Sequence, residues 1–363
     1  LSTMISAATP SAMPSIDAAE MKLMKPLRRV ARPAAVKGSN SRIPDNRRMP
    51  PAPEPFHLLI ADAAPLLADG AAPPPLPALP QLDALLKRLR VTETIACDDD
   101  APDTPLERAL ARAHGLPGAP GQVPWAAFET GTVGTPCAWL RPCHWQLGMD
   151  HITLLDPALL DLSEAESRAL LAAVQPLLQE DGIALRYVRP DAWLAEGELF
   201  RSLATSSMAR AAQQPLTRDA LAAAPTPAQS AHLRRLQNEL QMLLYTQPVN
   251  DAREQAKRWP VNALWIEGAG VLDAPTPQNP GVRVENRLAP AATPDLAAWQ
   301  AAWQAIDADS VAQLARQLAS GADVRLTLCG PRRALTLRPA TGLGARVSSL
   351  FSPLRLSDLR NQL

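Results

Sequence analysis

Four side chains with soft or titratable atoms crowd the stretch CAWLRPCHWQLGMDH: Cys137, Cys143, His144 and His151, with Asp150 beside the last. Cysteine with histidine is zinc chemistry, and a cysteine next to an imidazole can be a thiolate nucleophile with its base. The spacing speaks against both. Cys-x5-Cys-His-x6-His fits no common zinc pattern, and adjacent residues of an extended chain point to opposite sides. The stretch is expected to pack, with Trp139, Trp145 and Met149 leading into a sheet and His144 hydrogen-bonded. The acidic run Asp98, Asp99, Asp100 could hold a hard cation, but a solvated loop ahead of a helix is the simpler reading. A third group lies in LLYTQPVNDAREQAKRWPVNALWIEGAG, residues 243–270. There Asn250, Arg253, Asn262, Glu267, Gly268 and Gly270 would converge at the carboxyl end of a strand, where open α/β sheets bind ligands. Arg253 would offer a fork of donors to a phosphate or carboxylate. In the structural alternative the asparagines cap, the glycines turn the chain and Arg253 is solvated.

Positioning these groups requires alternating strands and helices. FHLLIA (56–61) reads as a buried strand ending at Asp62, and QLDALLKRLR (81–90) as an amphipathic helix. A helix follows over 103–115, capped by Asp103 or Thr104, with Pro105 in its first turn and Gly115 at its end. Strands are expected over 151–156 and 182–188, with a helix between them opened by a Ser163/Glu166 capping box. Residues 190–227 carry no clear period. The Leu233–Leu236–Leu240–Leu244 stripe marks a long helix, and Pro248 ends it. Asp251 with Glu254 has capping-box spacing for a short helix, and Val261 to Glu267 forms the next strand. Helices over 295–306 and 311–318 precede a hairpin, VRLTLC-GPR-RALTLR. Trp299 and Trp303, four apart, are core residues of the first of these helices. The fold class that follows is α/β, a mostly parallel sheet flanked by helices.

Residues 1–54 hold nine Lys/Arg against four Asp/Glu and no sustained period, and are expected to form a disordered leader. The domain would span 55–340, with a weakly ordered tail over 341–363. Overall charge is zero and basic clustering outside the leader is slight, so nucleic acid is not the expected partner. Neither a membrane-length apolar run nor a signal-peptide core occurs, and four cysteines in 363 residues suit a reducing compartment, so a cytoplasmic location is expected. Neither GAPGQ nor GTVGT is a nucleotide-binding fingerprint.

PVNDAREQAKRWPVNALWIEGAG resembles a segment of the archaeal-type 2,3-bisphosphoglycerate-independent phosphoglycerate mutases. PCHWQLGMDHITLLDP, LQNELQMLLYTQPVNDAR and VNALWIEGAG are similar to the RpfE-type regulatory proteins. The resemblance implies an alkaline-phosphatase-like core. It also implies, for active members, two divalent metals such as manganese held by Asp and His. Asp62 stands where the first such ligand would be, but the usual Asp-Gly run is replaced by IADAAPLLADG, and no histidine follows His232. The expectation is a non-catalytic member without a cofactor, acting in regulation or in binding a small phosphorylated or carboxylated ligand. The alternatives are a metal-dependent phosphomutase or phosphatase, its altered site drawn from Asp62, the 98–100 run, His144 and His151, and a protein-interaction scaffold.

Overall fold

The strand expected at 56–61 is β1, Phe56–Ile60, buried along its whole length. The computed structural model describes residues 55–65, 74–148, 152–212, 226–289, 295–340 and 354–363. The leader over 1–54, Asp150 and His151 fall outside the described residues. β1 pairs in parallel with β9 (Val282–Glu285) and β10 (Val324–Cys329). β10 turns back into β11 (Arg333–Pro339), as the hairpin reading expected, and β2 (Leu89–Ala96) completes the sheet in the order β2-β11-β10-β1-β9.

Period-two alternation sorts the side chains of this sheet. Leu58, Ile60, Leu326, Leu328, Leu335 and Leu337 face one core. That core is closed by α1 (Pro80–Leu86), α9 (Leu296–Ile306) and α10 (Ala312–Ala319). Leu59, Cys329 and Ala334 face the other side, under α2 (Pro105–His114). His57 shares that second face, in a buried chain of hydrogen bonds: its Nε2 meets Thr327 Oγ1 at 2.8 Å, and Thr327 Oγ1 meets Thr336 Oγ1 at 2.9 Å.

A second sheet, order β6-β7-β3-β8, is antiparallel throughout: β6 (Ala184–Arg189), β7 (Ala192–Glu196), β3 (Cys137–Cys143) and β8 (Ala263–Gly270). β4 (Trp145–Leu147) and β5 (Ile152–Leu154) form a separate short hairpin. α5 (Glu164–Glu180) and α7 (Pro227–Tyr245) cover the face of Leu140 and Trp193. α3 (Trp125–Thr130) covers Trp139 and Leu194 on the other face, and α6 (Met208–Ala211) packs near Cys143 and Trp265. α4 (Pro157–Leu160) and α8 (Pro248–Gln255) complete the helices around this half.

The protein is therefore α/β, but the mostly parallel sheet is corrected to one mixed and one antiparallel sheet. Among the described residues only the pairings of β1 are parallel. The strands responsible lay hidden. Leu89 and Arg90 belong to β2 rather than to the preceding helix, which ends at Leu86. β3 carries Pro142 inside it, and β7 lies in the stretch without a period. The Ser163/Glu166 capping box forms as read, Thr104 rather than Asp103 caps α2 and does so in a further box with Glu107, and Gly115 closes α2 at φ +70°. Asp251 and Glu254 do not make one, because α8 already starts at Pro248 and both residues sit inside it. Of the tail expected over 341–363, residues 341–353 lie outside the described residues. A helix at Leu356–Arg360 places Leu356, Leu359 and Leu363 in the first core.

Candidate functional site

The residues singled out around the Pro-Val-Asn pair do not converge on one space. Asn250, buried on α8, donates through Nδ2 to the carbonyls of Leu244 and Val261 and accepts from Val261 N, each at 2.8 Å. It splices the end of α7 to the lead-in of β8. Asn262 grips Trp145 at both backbone atoms, accepting from its N at 2.7 Å and donating to its O at 2.9 Å. Arg253 is 0% exposed. Its Nε donates to Trp259 O at 2.8 Å, its Nη1 to Glu166 Oε2 at 3.0 Å, and its Nη2 to Leu160 O. The three nitrogens thus tie α8 to the loop that follows it, to the start of α5 and to the end of α4, and none faces an incoming anion. Gly270 sits at φ +152° against Pro124. Gly268, at φ +61°, forms a bulge opposite β3, and a Cβ on it would come within 2.8 Å of Trp125 Cβ.

The weaker metal candidates are also apart. Asp62 follows β1 in the left-handed region, φ +53°, and burial pushes its carboxyl up. Asp99 pairs with Arg332, and the carbonyls of Asp98 and Ala101 accept from Arg210. His144 bonds Pro260 O through Nδ1 at 2.8 Å and packs its ring on Trp259. Cys143 is buried and burial drives its thiol far up, so it is no thiolate. Among the described residues no three His, Cys, Asp or Glu side chains are grouped to hold a metal ion.

A different set does come together, where the first turn of α2 meets α6 and the second sheet. Glu107, third residue of α2, accepts at Oε2 from Thr104 N (2.7 Å), Thr104 Oγ1 (2.9 Å) and Ser207 Oγ (2.8 Å). Ser207 Oγ in turn caps α6 by accepting from Arg210 N at 3.1 Å. On β8, Glu267 accepts from Met208 N at 2.6 Å and, through its other oxygen, from Arg141 Nε. Arg141, on β3, extends Nη1 to Asp191 Oδ2 at 3.1 Å across the β6–β7 turn. Its Nη2 has no protein acceptor among the described residues. Trp139 and Glu267 are cross-strand partners in this pair of strands, and the indole Nε1 donates to Glu129 of α3 at 3.1 Å.

Glu107, Arg141 and Glu267 line two adjoining spaces. The larger, about 570 Å³, is completed mainly by Pro142, Leu160, Asp161, Leu162, Asp191 and Met208. The smaller, about 140 Å³, is bounded by Trp125, Glu129, Trp139, Ser207 and Gly268. The larger volume is that of an ordinary small-molecule site, with apolar walls and a few convergent polar groups. Burial pushes Glu107 up to about 7, the neighbouring Glu267 charge adding to the effect while its three donors oppose it. A carboxyl in that range exchanges its proton near neutrality, a property concentrated at functional sites.

Sequence reading touched this site without assembling it. Glu267 and Gly268 lie in the stretch first examined for ligand binding. Glu107 was missed: the Thr104-x-x-Glu107 spacing could have marked it as a helix cap, but its partner Ser207 lies 100 positions later. Arg141 pairs with Glu267 across 126 positions, and no local signal distinguishes it from Arg253.

No family model matches the sequence, and no curated protein matches it. Among solved structures, the fold is similar at a low level to the cofactor-independent phosphoglycerate mutase from Thermoplasma acidophilum DSM 1728. The identity is 13% and the TM-score 0.34, over 85% of this chain and 99% of that one. It is similar likewise to the PH0037 protein from Pyrococcus horikoshii, at 12% identity and TM-score 0.35, over 85% and 98%. Likeness at this level bears on neither the site nor the activity. No described helix is long and apolar enough to cross a membrane.

Proposed function

We propose that this chain is a phosphoglycerate-mutase-like protein that works by binding a small organic ligand, in a regulatory rather than a catalytic role. The site is the cleft between the first turn of α2, α6 and the face of β3 and β8. The observation that carries the reading is the sharing of Glu107, Arg141 and Glu267 by two adjoining spaces, one of about 570 Å³. A metal-dependent phosphomutase would instead need several carboxylates and imidazoles around one point. Asp62, Asp98–Asp100 and His144 do not supply that arrangement.

The test is a thermal-shift screen of metabolites on the purified chain, repeated with Ala209→Trp. Ala209 is an exposed wall residue of the larger space, so the new indole blocks the cleft from a position outside the cores. Compounds that raise the melting temperature of the parent should lose their effect in the variant. Ligand shifts that survive the block would overturn the reading. So would manganese-dependent phosphoglycerate mutase turnover that Asp62→Ala abolishes.

A further inference from the structure

The charge of the walls decides what kind of molecule the cleft takes. Across both spaces the acidic lining residues are Glu107, Glu129, Asp161, Asp191 and Glu267, and the basic one is Arg141. Arg141 is not a free cation there. One of its nitrogens is held by Glu267 and a second by Asp191, so its charge is already offset by two carboxylates. Arg189 beside the cleft is likewise committed, its Nε to Asp191 Oδ1 at 2.9 Å. A phosphate or carboxylate entering beside Arg141 would therefore face Glu107, Asp161 and Glu267 in a partly desolvated space where like charges repel strongly. The rest of the larger wall is apolar: Pro142, Pro157, Leu160, Leu162 and Met208. In the smaller space Trp125 adds aromatic surface beside the acids, and aromatic faces attract organic cations, as Trp139 already does with the Arg189 guanidinium 5.3 Å from its ring centroid. The missing Cβ at Gly268 lets α3 lie directly against this wall.

We infer that the ligand is an organic amine, with its ammonium among Glu107, Glu267 and Asp161 and its hydrocarbon body on the Pro142–Leu160–Leu162 wall. The inference rests on the reading of the cleft as a ligand site and changes the class expected from the sequence, which was a phosphorylated or carboxylated molecule. Snug ammonium recognition by carboxylates and an apolar slot for the chain are complementary demands, and one cleft meets both.

The experiment is calorimetric titration of the full chain with n-hexylammonium and, as an anion of equal carbon count, hexanoate, with 3-phosphoglycerate and inorganic phosphate as further probes. Hexylammonium should bind at least tenfold more tightly than any of the anions, and its affinity should fall as salt is raised. Glu267→Gln should weaken it further. Asp161→Asn provides an independent check, because Asp161 is exposed and closes α4 in the left-handed region at φ +43°, a C-cap conformation that asparagine tolerates. It should weaken hexylammonium several-fold at an unchanged melting temperature. If an anion binds as tightly as the amine or more so, and Ala209→Trp blocks it, the cleft is a ligand site and the amine inference is wrong. If none of the four probes binds, the inference fails, while the wider metabolite screen still decides the reading of the cleft.

Discussion

Arg141 and Glu267 stand on neighbouring antiparallel strands and form an ion pair whose carboxylate also anchors the first amide of α6 at 2.6 Å. One contact thus joins the sheet to the helix that walls the cleft. Both side chains are mostly buried, at 18% and 12% exposure. Removing Glu267 leaves a guanidinium short of a partner and a helix start without an acceptor. Glu267→Ala should lower unfolding free energy by about 2–4 kcal/mol, between the values for exposed and fully buried pairs. The urea midpoint measures it.

Arg253 carries a different load. Its three nitrogens hold α8, α5 and the end of α4 together without solvent contact. Arg253→Ala should destabilise by about 3–5 kcal/mol. Arg253→Lys should recover little of this, because an ammonium cannot reach three divergent acceptors. Ligand affinity in the cleft, read by calorimetry under conditions where the variant is folded, should be unchanged.

Gly268 cannot be replaced quietly. Its φ of +61° already disfavours any side chain, and a Cβ would press on Trp125 Cβ at 2.8 Å. Gly268→Ala should reduce stability by about 1–3 kcal/mol and weaken binding, because α3 must retreat into or away from the smaller space. Chemical denaturation and calorimetry separate the two effects.

His57 gives the fold a pH dependence. Burial holds its imidazole down at about 4, with Arg325, Arg338 and His114 adding repulsion and Asp323 opposing. The unfolded chain would take a proton near 6.5, so between those values the unfolded state binds more protons than the folded one. Stability is therefore fully present above pH 6.5 and is lost as pH falls towards 4, in an amount of about 3 kcal/mol. Melting temperatures from pH 7 to pH 4 should show the slope, and His57→Gln should remove most of it. Carboxylate linkages in the same range act in both proteins alike, so the difference between them isolates His57.

Glu107 should set the pH dependence of binding. The groups around it are Thr104 on its own turn, Ser207 on α6, and Glu267 with Arg141 on the sheet. Its carboxyl is pushed up to about 7, and a bound cation favours the ionised form. Hexylammonium affinity should rise as pH climbs from 6 to 8, and Glu107→Gln should flatten the profile. Calorimetry at several pH values reads both.

What the sequence disclosed follows from range. Local chemistry was legible: the cap at Asp103 or Thr104, the Ser163 capping box, the Leu233–Leu244 stripe and the β10–β11 hairpin are each specified within a few residues. β1 announced itself as an apolar run. β3 did not, because Pro142 interrupts its pattern and its partners, β7 and β8, lie far along the chain. The cleft was invisible for the same reason. The contacts that bring its shared residues together, Glu107 to Ser207, Arg141 to Glu267 and Glu267 to Met208, span 59 positions or more. Arg253 looked like a ligand donor because a sequence shows a guanidinium's presence and not the carbonyls that surround it.

The most direct measurement is a crystal structure of the full chain grown with n-hexylammonium and manganese together. Density for the amine is predicted with its ammonium among Glu107, Glu267 and Asp161, its chain along Leu160 and Leu162 and no metal at Asp62. An empty cleft with two cations bound beside Asp62 would contradict the account.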